Sequence, residues 1–289
     1  MNPKCPICRK RAEYWESIRG ETKKTKNQTF DLYKCSSCGH GFYHPGFNSE
    51  KDLIKYYDED FAIDYNPEIM TQDFILRRKQ YIKDTELLKT YLKKRYITIL
   101  DYGCSTGQLL EMMPCCWRKH GYEISEFKIN YMRKNCKKIK VVMDLAKLKR
   151  SEYDVIVLRG VIEHLFDFKT LFGVLSRSLK KDGLIFICAT PNFASPCAVL
   201  YGRDWNLLRV APFHYHQFTP TSLSILFARH GFCMVGLHHP YLGTPYAKGS
   251  DGGVFVRNVR RLNKNNIRGG SCHAYPGNMM SCVFKKVRR

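Results

Sequence analysis

The chain has 289 residues, 44% of them hydrophobic, and a formal net charge of +22. That length can bury one large core with a small appended module, and the lack of any run of about 18 consecutive apolar residues excludes a helical membrane span. The basic residues recur in "KKR" at 93–95, "RKNCKKIK" at 133–140, "KLKR" at 147–150 and the closing "KKVRR". Such a field favours anionic partners, nucleic acid included, although solvated helix faces of a lysine-rich chain account for it equally well. The opening "MNPKCPICRK" carries no charged-then-apolar leader, and thirteen cysteines, an odd number, lie largely in apolar segments such as "LIFICAT". The expectation is a reduced, cytoplasmic protein.

In chain order, residues 1–48 read as a separate module. "CPIC" (Cys5, Cys8) and "CSSCG" (Cys35, Cys38) are two C-x-x-C knuckles, each able to present two thiolates from a tight turn, which together make a closed tetrahedral zinc site. Such a zinc ribbon holds a fold and has no open position for chemistry. Residues 49–96 follow as a helical linker or lid, with apolar residues at helical spacing from Phe74 to Leu92.

From residue 97 to 289 strand and helix patterns alternate: strand "YITILDYG", helix "GQLLEMM", strand "HGYEIS", helix "EFKINYMRKNC", strand "KVVMD", strand "YDVIVLRG", helix "KTLFGVLSRSLK" and strand "GLIFICATP". Alternation at this density predicts an α/β fold with a parallel sheet and helices on both faces. A loop-rich stretch, 193–219, precedes a helix opened by Thr219 and Pro220, then a strand "FCMVGLHH", an insertion of uncertain structure at 240–278 and a closing strand "MSCVFKKV".

In an open α/β sheet the ligand lies beyond the carboxyl ends of the strands, which places a site at Asp101 to Gln108, where Gly103 and Gly107 bracket the first strand-to-helix turn. The dinucleotide pattern G-x-G-x-x-G is not met, because Ser105 and Gln108 stand at glycine positions. A nucleoside without phosphates needs a carboxylate for its ribose diol. Glu123, 22 residues after Asp101 at the end of the next strand, supplies one.

"ILDYGCSTGQLL", "GYEIS", "YDVIVLRGVIEHL", "LKKDGLIFICATPN" and "FHYHQFTPTSLSILFARHGF" resemble, in the same order, the motifs of Rossmann-like, class I S-adenosylmethionine-dependent methyltransferases. The module "YKCSSCGHGFYHP" is similar to the zinc ribbon that precedes such a core in a broad bacterial-type group, many of whose members methylate sugars, polysaccharides or small metabolites. The resemblance runs from Cys5 to about Phe232. It implies a mostly parallel seven-stranded sheet with S-adenosylmethionine as cofactor. It also implies that Asp101, Gly103, Cys104, Ser105 and Gly107 line the methionine end and that Glu123 holds the ribose. Asp144 and Leu145 would flank the adenine, and Arg159 with Gly160 would lie beside the sulfonium. A simpler role for Asp144 is to cap a turn.

Methyl transfer is an in-line displacement, so alignment is the protein's main contribution; a hydroxyl acceptor also needs a base or a metal. The candidates are Glu163, His164 and His214, with His164 or His214 as general base, or all three as ligands of a divalent metal. The metal reading resembles small-RNA 2′-O-methyltransferases, whose further glutamate is Gly160 here. An alternative is that the Glu-His pair only shapes the pocket. His216 reads as a loop or surface residue, and Tyr201, Arg203 and Trp205 as either an acceptor wall or, for Trp205, core. Three functions are carried: a methyltransferase acting on a sugar, nucleotide-sugar or related small, anionic metabolite; a nucleic-acid methyltransferase; and a non-catalytic binding module. Composition and motifs leave the oligomeric state open.

Overall fold

The computed structural model describes residues 2–20, 25–45, 67–208, 211–242, 244, 247–262 and 275–287. The expected boundary between ribbon and linker at 48/49, the start of the linker and residues 263–274 of the insertion lie outside them.

The amino-terminal chain forms β1 (Ala12–Arg19), β2 (Thr29–Cys35) and β3 (Gly41–Tyr43), an antiparallel meander hung from the two cysteine turns. Helix α1 (Pro67–Thr90) then leads into the large sheet. Its strands and helices are β4 (Thr98–Tyr102), α2 (Gln108–Met112), β5 (Arg118–Tyr122), α3 (Glu126–Asn135), β6 (Ile139–Val142), β7 (Tyr153–Arg159), α4 (Phe168–Ser178) and β8 (Leu179–Pro191). After a short helix α5 (Pro196–Tyr201) come β9 (His216–Gln217), α6 (Pro220–Arg229), β10 (Phe232–His238), α7 (Asp251–Leu262) and β11 (Met279–Lys286).

The large sheet has seven strands in the order β10-β11-β8-β7-β4-β5-β6. β6 to β8 run parallel, and β11 enters antiparallel between β8 and β10. β7 is buried from Tyr153 to Leu158, and its aliphatic run Val155–Leu158 packs apolar side chains on both faces of the strand. Strand order reverses between β4 and β7, with Asp101 opposite Gly121 on one side and Val157 on the other. A crevice therefore opens beyond the carboxyl ends of β4 and β7. The helix starts follow their capping residues: Asp167 accepts from Lys169 N and Thr170 N to open α4, and Thr219 with Ser222 forms a capping box on α6.

Three features differ from the sequence expectation. The cysteine module is not separate: its sheet has four strands, β1-β2-β3-β9, and β9 comes from the large domain. On α1, Ile75 and Ile82 are exposed while Gln80, Tyr81, Asp84, Thr85 and Leu88 are buried, because the helix turns a partly polar face toward the crevice. Within the insertion, α7 forms despite Gly252 and Gly253, which cost a helix about 1 kcal/mol each. It is held by Asn258 donating to Tyr201 Oη at 2.6 Å, by Phe255 stacked 4.2 Å from Tyr275, and by Tyr241, whose hydroxyl donates to Asp251.

Candidate active site

The β4–α2 turn is built around two left-handed glycines, Gly103 at φ +80° and Gly107 at φ +82°, with Ser105 also left-handed at +51°. A Cβ on Gly103 would lie 2.7 Å from the Val161 side chain and one on Gly107 2.9 Å from Ile139, so both glycines let the turn press against its neighbours. Gly103 N and Cys104 N donate to the Tyr122 carbonyl at 2.8 and 2.9 Å, which ties the turn to the end of β5. Cys104 contributes only backbone here. Its thiol points into the core, 3.6 Å from Met132 Sδ.

Glu123 follows β5 and is buried at the mouth of the turn. Its carboxylate accepts from Ser105 N at 2.9 Å and from Ile124 N and Ser125 N at 2.8 and 3.0 Å. Three amides fix it in place and leave lone pairs for a diol. Asp101, at the end of β4, is buried with Oδ1 unpartnered, and burial pushes its carboxyl up to about 7 against the opposing pull of Arg159. An orphaned buried carboxyl oxygen and a carboxylate pinned across the turn fit a ligand that carries both an ammonium and a vicinal diol. Asp144 is half-exposed and caps the turn after β6 through Ala146 N at 2.8 Å; Leu145 packs against the core beside it.

Arg159 ends β7 as expected, but its partners come from α1, which sequence reasoning missed. Its Nε donates to Asp84 Oδ2 at 3.0 Å and its guanidinium lies 4.6 Å from the Tyr81 ring centre. Tyr81 in turn donates its hydroxyl to Gln108 Oε1 at 3.0 Å. Burial raises the Asp84 carboxyl while Arg159 holds it down. The signal available in the sequence was the row Tyr81, Asp84, Thr85, Leu88 on one helical face.

The acceptor-side candidates converge. Glu163 and His164 stand on a single 3-10 turn, Ile162–His164, and His214 precedes β9. One ligand atom from each lies within 4.8 Å of the others, and the two imidazole rings meet edge to face at 4.7 Å. His164 Nδ1–H donates to the Phe213 carbonyl at 2.8 Å, leaving Nε2 to carry the lone pair. His214 Nδ1 is buried with no partner. Burial pushes His164 down to about 4 and, with His164 beside it, His214 down to about 3, so both are neutral at pH 7. Glu163, which accepts from Thr190 Oγ1 at 3.2 Å, is pushed up to about 7 by burial.

Two neighbouring side chains lie inside the protein. Trp205 is fully buried among Phe193, Tyr201 and Tyr43, a core residue and not an acceptor wall. His216 is not a surface residue: it is 2% exposed and lies 3.0 Å from His40 of the cysteine module.

The four cysteine sulfurs form a second cluster within 4.8 Å, with Cys5 and Cys38 Sγ 3.7 Å apart and Cys8 and Cys35 3.3 Å apart. A tetrahedral zinc with sulfur at about 2.3 Å needs edges of about 3.8 Å, so the donor set suits zinc with small adjustments.

A family model described as a methyltransferase domain matches residues 75–237. The chain belongs to this methyltransferase-domain family. A probable S-adenosylmethionine-dependent methyltransferase of Mycobacterium tuberculosis is 29% identical over 150 residues, 49% of this chain and 52% of that protein. The ubiquinone biosynthesis O-methyltransferase of Pelagibacter ubique is 30% identical over 127 residues, 40% of this chain and 50% of that protein. The chain spans about half the length of the curated relatives it matches. Among solved structures, the Burkholderia thailandensis 1,6-didemethyltoxoflavin-N1-methyltransferase superposes with a TM-score of 0.52 at 13% identity, over 90% of this chain and 96% of that one. A Thermotoga maritima SAM-dependent methyltransferase does so with 0.52 at 17% identity, over 80% and 99%. At these identities the likeness is one of fold. The large domain thus belongs to the methyltransferase-domain family and has the fold of these class I methyltransferases.

Proposed function

We propose that the chain transfers the methyl group of S-adenosylmethionine to a hydroxyl oxygen of a sugar, nucleotide-sugar or related small metabolite. The observation that carries this reading is the convergence of Glu163, His164 and His214 at the carboxyl end of β7, beside the crevice. Bound S-adenosylmethionine supplies a methyl carbon already activated by its positive sulfur. Asp101, Glu123 and the backbone of Gly103 to Gly107 hold it, with Asp144 and Leu145 toward the base and Arg159 near the reacting end. A hydroxyl must shed its proton as its oxygen attacks. The imidazole of His214, or Nε2 of His164, accepts that proton. The net charge of +22 draws anionic acceptors toward the domain.

The same three side chains support a second reading, in which they hold a divalent cation and the acceptor is a ribose hydroxyl of RNA. One carboxylate and two imidazoles are a suitable donor set, and such a cation lowers the pKa of a bound hydroxyl. Gly160 leaves room there: a Cβ on it would meet nothing closer than the Ala189 carbonyl at 3.9 Å. The cysteine cluster holds zinc in either reading and takes no part in the chemistry.

Transfer of a labelled methyl group to panels of sugars, nucleotide-sugars and RNA, with and without chelator and added magnesium or manganese, tests both readings. The expected result is metal-independent O-methylation of a small acceptor, reduced about 10²- to 10⁴-fold in His214→Ala while cofactor affinity holds. Label in RNA that requires the added cation would favour the second reading. Cofactor binding with no label in any acceptor would favour a non-catalytic binding module.

A further inference from the structure

The cysteine module and the acceptor-side histidines are parts of one sheet. β9 pairs with β3, Gly41 opposite Gln217 and Phe42 opposite His216, so the strand that follows the second cysteine turn is also the strand that positions the segment after His214. Both cysteine turns are tied to the same region. Thr219 Oγ1–H donates to the Cys38 carbonyl at 2.9 Å, and Arg229 donates to the Ile7 carbonyl and, at 3.1 Å, to that of Cys8.

Between the two halves lies a buried imidazole pair. His40 Nε2 is 3.0 Å from His216 Nδ1, one ring donating to the other, and the strand that carries His216 packs against the Ile162–His164 turn. His40 Nδ1 is buried and has no partner. Leu165 follows His164 directly, and His216 lies two residues after His214. Phe42, Phe168 and Phe218 pack around the pair, with ring centres 4.8 to 6.1 Å from one imidazole or the other. His216 therefore packs against the turn that carries Glu163 and His164, and is joined through the chain to His214.

We propose that His40 and His216 are positioning residues: through them the cysteine module sets the separation of the Glu163–His164 turn from His214, so that zinc in the module governs the acceptor half of the site and not the cofactor crevice. This rests on the reading of Glu163, His164 and His214 as the acceptor-side site. The crevice is tied differently. Its turn is held by the Tyr122 carbonyl and Glu123, which come from the neighbouring strand and the residue after it.

The test uses the zinc-loaded full chain and two variants, His40→Leu and His40→Gln; the glutamine amide can donate or accept in place of the imidazole Nε2. Three readouts are taken: hydrogen exchange over 211–219 and over 101–108, long-range nitrogen NMR of the His214 ring, and calorimetric titration with S-adenosylmethionine. In His40→Leu, exchange over 213–217 rises at least about tenfold and the His214 ring signals shift. Protection over 101–108 and cofactor affinity stay within about twofold, and His40→Gln restores the wild-type pattern. Wild type stripped of zinc by a chelator follows His40→Leu, which decides the matter should that variant not fold. Unchanged exchange and His214 signals in both leucine variant and zinc-free protein would overturn the proposal. So would a parallel loss of cofactor affinity, since the module would then support the whole domain. Failure of the wild type to bind S-adenosylmethionine would reject the functional reading, while exchange and ring spectra still decide the relay.

Discussion

Asp84→Ala isolates the contact that joins α1 to the crevice. The variant leaves the Arg159 guanidinium, with its side chain 11% exposed, facing a carboxylate-sized gap, and the partner removed was 1% exposed at 3.0 Å. Breaking a buried pair on one side costs about 3–5 kcal/mol because the remaining charge is uncompensated. The Tyr81 ring, 4.6 Å from the guanidinium, retains some of the interaction, so the lower end applies, about 3 kcal/mol. In a domain of this size each kcal/mol moves the unfolding midpoint by about 2–4 °C, which predicts a fall on the order of 10 °C. The double variant Asp84→Leu with Arg159→Met removes both charges and returns to within about 1 kcal/mol of wild type. Thermal unfolding of cofactor-free protein, followed by circular dichroism, gives both numbers. A single-variant shift under about 2 °C, or a double variant as damaged as the single, would refute the reasoning. A stable double variant that binds S-adenosylmethionine poorly would assign the pair to placing Arg159 in the crevice.

Two further outcomes follow from the carboxylates. Glu123→Ala removes two charge-assisted bonds to a ribose diol, about 1.5–3 kcal/mol each, so calorimetry should show S-adenosylmethionine affinity reduced at least about a hundredfold; an unchanged affinity would move the ribose elsewhere. Asp101 keeps a proton in the folded state up to about pH 7 that the unfolded chain releases near 3.8. Its contribution to stability is therefore full below about pH 4 and lost as the pH rises through about 7, on the order of 4 kcal/mol at most. Asp101→Asn cannot ionise, so urea unfolding of the cofactor-free variant should gain on wild type steadily from pH 4 to 7, and parallel pH curves would contradict the assignment.

The parts of the fold carried by short-range pattern were legible in the sequence. The glycine turn after β4, the carboxylate after β5 and the Glu-His pair after β7 each follow a strand end at short spacing, and the sheet puts such ends together. Residues whose role depends on how distant elements meet were not. Asp84 was obscured because an apolar spacing that includes Ile75 and Ile82 suggested a helix face that the structure leaves partly exposed. His216 read as surface because its partner His40 is 176 residues away, brought near only by β3–β9 pairing. Trp205 read equally as binding wall or core, and Phe193 with the α5 residues Ala198 and Tyr201 encloses it. In α7, two glycines masked a helix that tertiary contacts with Tyr201 and Tyr275 sustain.

Calorimetric titration of the zinc-replete wild type with S-adenosylmethionine, and with NAD in parallel, separates a nucleoside site from a dinucleotide site. Saturable binding of S-adenosylmethionine at one site per chain and none of NAD is expected, because the turn offers Glu123 for a diol and lacks the third glycine that a pyrophosphate requires. Binding of NAD, or of neither ligand, would contradict that expectation.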